Sequence, residues 1–426
     1  MEVSQTDCRL YEAILKEELL TALGCTEPIA IAFAAAKARE VLRAVPEEMT
    51  VECSGNLIKN ARAVVVPMTV DLRGIEAAAV LGAVGGDPAK ELEVLTSVTE
   101  EDLARTKELL AQNVCRVRLL ETPAKLHIIV RCAKGGDNVM VEILHEHNHI
   151  VHIEKNGAVV YDIPHSPEDV GEGGTDRSCL TLEKIVAFAQ TADLSNVARV
   201  LDKQIACNSA IAAEGLSARW GESVGQTLLE VYGESVGVRA RAAAAAGSDA
   251  RMNGCEMPVV INSGSGNQGI TVSVPVIEYA RELGCSRDQL YRALLVSNLV
   301  AIMQKYKMGR LSAFCGAVSA GTAAACGIAF LQGAGAELIG MIITNSLGNI
   351  GGVVCDGAKS SCAAKISSSI EAGLMGYEMA KRGRVFRPGE GLVKENCAGT
   401  IDSFCRMAKD GMDATDKEIL RIMVEG

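Results

Sequence analysis

The sequence predicts an α+β N-terminal domain over residues 1–175, followed by an all-helical, glycine- and alanine-rich C-terminal domain over residues 176–426. Three observations carry this. Short β-branched or alternating runs bounded by turn residues are confined to the first part. Long stretches of helical periodicity fill the second. Between them, PHSPEDVGEGGTD has the composition of a linker. The core is aliphatic, because hydrophobic residues make up 48% of the chain and aromatic residues only 3%. That mixture suits helices whose backbones approach closely.

In chain order, residues 10–44 read as a helix broken at Gly24 and Pro28. Strand-like runs follow: MTVECSG, ARAVVVPMTV, VCRVRLL, KLHIIVRCA, NVMVEILHEHNHIVHIEKNG and AVVYDI. IEAAAVLGAVGG and TEEDLARTKELLAQ between them read as helices. From residue 181, TLEKIVAFAQTADLSNVARVLDKQIACNSAIAAEGL is helical, with Asp193 or Ser195 as an internal cap. The same periodicity runs through SVGQTLLEVYG, VRARAAAAAG, VIEYARELG, DQLYRALLVSNLVAIMQKYKM, ELIGMIITNSLG and AAKISSSIEAGLMGYEMAKRG. Residues 311–336 carry no formal charge, yet their Ala, Gly, Ser and Thr give a poor transfer energy into lipid. They read as a helix buried on all sides of a soluble protein.

A net charge of −11, with no basic run, argues against a nucleic-acid surface. The opening MEVSQTDCRLYEAILKEELL lacks a signal peptide's apolar core. The expected location is therefore cytoplasmic, without a membrane anchor, and the 15 cysteines are expected as thiols. Extended apolar helices make a homo-oligomer reasonable.

Several motifs carry candidate chemistry. Cys315, Cys355 and Cys362 stand among small residues, in GRLSAFCGAVSAG and GGVVCDGAKSSCAAK. Such thiols either pack as small hydrophobes or hold an iron–sulfur cluster with one iron left open for substrate. Cys25, in LGCTEP, occupies a helix break where a following helix N-terminus lowers a thiol's pKa; the plainer reading is a kink with a buried thiol. SGSGNQG, residues 263–269, is a glycine turn suited to a small anion. It is neither a dinucleotide fingerprint nor a P-loop. SGNLIKN, residues 54–60, offers Asn56 and the cationic Lys59, or is merely a solvated turn. His145, His147 and His149 would share one face of a strand, with His152 beyond, but no other ligand completes a metal site and the structural reading is favoured. Lys359 is of the type that forms pyridoxal phosphate Schiff bases, with nothing further in support.

Five segments, GCTEPIAIAFAAAKA, SGNLIKNARAVVVP, SDARMNGCEMPVVINSGSGNQGI, GRLSAFCGAVSAG and NIGGVVCDGAKSSCAAK, together resemble the L-cysteine desulfidase family, in the same order and over nearly the whole chain. The helical half is more distantly similar to iron–sulfur L-serine dehydratases. The resemblance implies an oxygen-labile 4Fe–4S cluster with one iron lacking a protein ligand, and no pyridoxal phosphate. It implies α,β-elimination of L-cysteine to pyruvate, ammonia and sulfide. By position, Cys315, Cys355 and Cys362 become the cluster ligands, with Cys326 as rival for the first place, and Cys25 the candidate base. Ser263, Ser265, Asn267 and Gln268, with Asn56 or Lys59, would hold the substrate carboxylate. L-Serine as substrate, a non-catalytic iron–sulfur redox sensor and a purely structural thiol-rich protein stay open as alternatives.

Overall fold

The computed structural model describes residues 3–62, 64–69, 72–168, 174–309 and 312–425. Ser4 accepts a hydrogen bond from the Asp7 amide and starts α1 (Gln5–Glu18). A short strand, β1 (Thr21–Leu23), fills the break before α2 (Thr26–Leu42). Next come β2 (Glu48–Cys53), α3 (Gly55–Ala61), α4 (Gly74–Gly85) and α5 (Glu100–Ala111). A capping box between Thr99 and Asp102 opens α5. The strands β3 (Cys115–Leu119), β4 (His127–Lys134), β5 (Asp137–Leu144), β6 (Ile150–Lys155) and β7 (Ala158–Asp162) complete a six-stranded sheet of order β3-β2-β4-β5-β6-β7. Only the β2–β3 pair is parallel; the other pairs are antiparallel. Helix α2 lies on this sheet and on α4, forming one aliphatic core with Val51, Ile128, Val130, Val141 and Ile143.

The second part begins with α6 (Leu182–Thr191), α7 (Ala198–Ser217), α8 (Val224–Tyr232) and α9 (Val236–Met252). A three-residue strand, β8 (Pro258–Val260), precedes α10 (Gly266–Glu282), α11 (Arg287–Met308), α12 (Gly316–Leu331) and α13 (Ala336–Ile350). The chain closes with α14 (Cys362–Ala380), α15 (Cys397–Arg406) and α16 (Asp413–Glu425). An α/β region followed by helices is thus the observed order. Helix α12 is the expected central helix, packed by α10, α11, α13 and α14 and buried from Ala317 to Ala329. Small residues permit this. A Cβ on Gly321 would come within 2.5 Å of the Ser369 carbonyl carbon, and one on Gly373 within 2.7 Å of the Gly321 oxygen. No helix among the described residues is long and apolar enough to cross a membrane.

The two parts interlock. Strand β1 pairs antiparallel with β8. Tyr11, Ile14 and Leu15 of α1 bury in the core formed by Phe188 and α11, and α16 packs on α3. Three local expectations change. SGNLIKN is helix α3 and not a turn, and ARAVVVPMTV is no strand: Val64 and Val66 are buried in a loop and Val65 makes one isolated bridge to Arg73, while Ala63 and Val70 fall outside the described residues. The long run from Asn138 to Gly157 splits into β5 and β6, and residues 145–149 form the connection between them.

Candidate active site

Four long helices begin at one cavity of about 110 Å³. They are α2 at Cys25 to Glu27, α10 at Ser265 to Gln268, α12 at Cys315 to Ala317 and α14 at Cys362. Ser265 caps α10 through its own side chain, but α2, α12 and α14 have no side-chain cap. Unsatisfied N–H groups and four positive dipole ends therefore face the same space, which favours anions and thiolates.

The three sequence-predicted ligand thiols meet here. The bridge between Phe314 and Val354 sets Cys315 beside Cys355: the Cys315 amide donates to the Val353 carbonyl at 2.9 Å, and the Cys355 amide to Ala313 at 2.6 Å. Cys362 enters one turn later, its Sγ 3.7 Å from the Gly357 carbonyl. The Cys315 thiol donates to Cys355, which holds the Cys355 pKa well below the ordinary thiol value against the opposing effect of burial; Lys59, the Gly357 amide and Lys305 add to the lowering. The same hydrogen bond, with burial, raises Cys315, and burial raises Cys362. Cys326 lies inside α12, fully buried, and does not line the cavity.

At the opposite wall, Gly24 turns the chain with φ +56°, where a Cβ would stand 2.2 Å from Pro67 Cγ. This turn aims Cys25 inward. Its Sγ donates to Glu27 Oε2 at 3.1 Å, Thr26 Oγ1 donates to the same oxygen at 3.1 Å, and Asn60 Nδ2 donates to Oε1 at 2.9 Å. Burial opposes ionisation of Glu27, but the charge of His147, the Cys25 hydrogen bond and the charge of Arg251 outweigh it and lower its pKa. The sequence places a thiol of lowered pKa at Cys25. The structure reverses that sign: burial, then the adjacent Glu27 charge, raise Cys25 well above the ordinary value, and Arg251 offsets this only partly.

The glycine segment is held from behind by buried amides. Asn208 spans the Val260 amide and carbonyl, and Asn298 accepts from Asn262 at 3.0 Å. Ser263 then donates to Asn262 at 2.9 Å, and Asn267 accepts from Arg251 at 3.1 Å. Ser263, Ser265, Asn267 and Gln268 all line the cavity, the last two from the first turn of α10 and not from a loop. Asn56 and Lys59 do not line it; their neighbour Asn60 does. Lys59 makes a buried ion pair with Asp416 of α16 at 2.5 Å and donates to the Cys355 carbonyl at 3.3 Å. It thereby braces the segment that presents Cys355. Replacing Asp416 with alanine strands the Lys59 ammonium in the interior. The expected loss is about 3–5 kcal/mol of unfolding free energy, measured by urea denaturation.

Thr26, Glu27, Asn60, Arg251 and Lys305, none of them singled out in the sequence, also line the cavity, and so does His147. Glu27 and Arg251 sit inside the quoted motifs. His147, grouped by its pattern with the structural histidines, is buried on the connection between β5 and β6. The others bond locally: His145 to the Ser166 carbonyl, His149 to the Leu144 carbonyl and His152 to Asp162. His145, at φ +66°, is no strand residue, so the shared strand face does not exist. Lys359 pairs with Asp356 at 2.6 Å and does not line the cavity.

No group of three or more His, Cys, Asp or Glu among the described residues is placed to hold a single metal ion. A cluster makes a different demand, since each thiolate binds a different iron and the sulfurs stand apart. Three thiols, small neighbours Gly316, Ala317, Gly357 and Ala358, and uncapped helix ends fit such a group. Asn60 Oδ1, Gln268 Oε1 and Arg251 Nε are buried around it without a hydrogen-bond partner among the described residues, as expected where a ligand completes the site.

The model of the serine dehydratase alpha chain matches residues 89–421. The chain belongs to the serine dehydratase alpha-chain family. Its relatives run along its whole length. A UPF0597 protein of Lachnoclostridium phytofermentans is 54% identical, covering 96% of this chain and 98% of its own. Those of Desulfitobacterium hafniense and Treponema denticola are 48% and 43% identical, each covering all of this chain and 98% and 100% of their own. Family membership makes the chain an enzyme of the dehydratase or lyase type.

Proposed function

We propose that this protein is an iron–sulfur lyase that eliminates sulfide from L-cysteine, yielding pyruvate, ammonia and sulfide. The observation that carries the reading is the convergence of Cys315, Cys355 and Cys362 with Cys25 and the 263–268 segment on one cavity. Cys315, Cys355 and Cys362 would hold a 4Fe–4S cluster, which when bound would supply a Lewis-acidic iron without a protein ligand, soft enough for the departing sulfur.

The protein's own groups do the rest. Cys25 is the group placed to take the proton from the substrate Cα; burial and the Glu27 charge hold it as a thiol at rest, so its own proton must first pass, at a cost, to Glu27, its hydrogen-bond acceptor at 3.1 Å. Ser263, Ser265, Asn267 and Gln268 orient the amino acid, and Lys59 acts at one remove by steadying Cys355. Loss of the Cα proton and of sulfide leaves aminoacrylate, which water converts to pyruvate and ammonia without further help.

A second reading, the same elimination of water from L-serine, is favoured by the family match. The deciding experiment is purification without oxygen, assay of iron and acid-labile sulfide, and measurement of pyruvate from L-cysteine and from L-serine in parallel. Iron with faster turnover of cysteine is expected. Faster turnover of serine selects the second reading, iron without turnover selects a redox sensor, and protein without iron or activity ends the lyase reading.

A further inference from the structure

Lys305 has no role in the reaction as described above. It sits in the last turn of α11, is 2% exposed and lines the cavity. Among the described residues, no carboxylate, carbonyl or hydroxyl pairs with its ammonium. An unpaired buried ammonium is costly unless something arrives to compensate it. Besides the thiols Cys25, Cys315, Cys355 and Cys362, the titratable side chains lining the cavity are Glu27, Arg251, Lys305 and His147. Arg251 acts on Glu27 and Cys25 at one wall, whereas Lys305 acts on Cys315 and Cys355 at the other. No carboxylate lines the thiol wall, so Lys305 there faces only the Cys355 thiolate, whose charge a bound cluster would take up, and the N-termini of α12 and α14 add to its positive field.

We infer that Lys305 is the anchor for the α-carboxylate of the substrate. The inference rests on the lyase reading and deepens it. In a three-carbon acid with a leaving group on Cβ, the carboxylate is attached to the next carbon. A cation beside the ligand thiols therefore reaches the carboxylate while the leaving sulfur faces the same thiols. Cα then points across the cavity toward Cys25. A carboxylate at Lys305 makes the lysine a positioning residue and selects α-amino acids over simple thiol amines.

The test uses anaerobically purified holoprotein and calorimetric titration with two probes. β-Mercaptopropionate carries the thiol and the carboxylate; cysteamine carries the thiol and the amine but no carboxylate. Lys305→Gln is expected to weaken β-mercaptopropionate about 10- to 100-fold and to leave cysteamine and the iron content unchanged. Lys305→Arg, which keeps the charge, is expected to restore most of the lost affinity. Equal effects on both probes, or none, overturn the assignment. Loss of iron in Lys305→Gln overturns it as well and makes the lysine a counter-charge to the ligand thiolates. Failure of wild-type protein to form pyruvate sinks the lyase reading separately, and the probe titrations still decide the role of Lys305.

Discussion

Replacing Cys355 with alanine is expected to abolish the visible iron–sulfur absorbance and all measurable turnover, while the helical far-ultraviolet signal persists. Cys355 is the thiol that the site pushes hardest toward thiolate, through Cys315, Lys59, the Gly357 amide and Lys305. Its removal leaves two sulfurs where three are needed and takes the facing thiolate from Lys305, while Lys59 keeps its ion pair with Asp416. The backbone bridge between Phe314 and Val354 does not involve the side chain, so the fold survives. Iron and sulfide assays on anaerobic protein check this. Iron content equal to wild type would falsify the ligand assignment.

Cys25→Ser is expected to keep the iron and lose turnover by about 10²- to 10⁴-fold, the range general-base removal produces. The serine hydroxyl fits the same helix start and still donates to Glu27, so structure and metal content are preserved. A hydroxyl is a far weaker acid than a thiol, and Glu27 cannot draw its proton away to the same extent. The expected signature is a loss in kcat with little change in KM, since Cys25 meets the Cα proton and not the carboxylate. Full activity in this variant removes Cys25 from proton transfer.

The sequence exposes this site unevenly. The candidate ligand thiols are visible because small residues crowding three cysteines leave room for an inorganic group, and the order of the regions follows from the switch in periodicity. Cys25 is visible as a helix break, but its pKa is not: helix position alone argues for a thiolate, and only the fold shows burial and a carboxylate two residues away winning instead. Lys59 reads as a substrate group because a lysine in a polar segment looks exposed; its partner Asp416 lies 357 residues on, beyond any local pattern. Lys305 gives no signal, since a lysine near the end of a helix is ordinarily a solvated cap. His147 is hidden by a strand pattern that a left-handed residue at His145 interrupts. Strand β1 is three residues long and finds its partner only in β8, so no window on either segment reveals the pair.

The long span between partners also bears on how the protein is made. Thr26 meets Gly264 across 238 residues and Lys59 meets Cys355 across 296. Contacts of such high order form late, after the entropy of closing very long loops has been met. Until then the cavity thiols belong to an incomplete structure, open to solvent and to oxidants, in a chain with 15 cysteines able to pair wrongly. Refolding yield should therefore track the reductant present during the slow closing phase more closely than temperature or denaturant dilution.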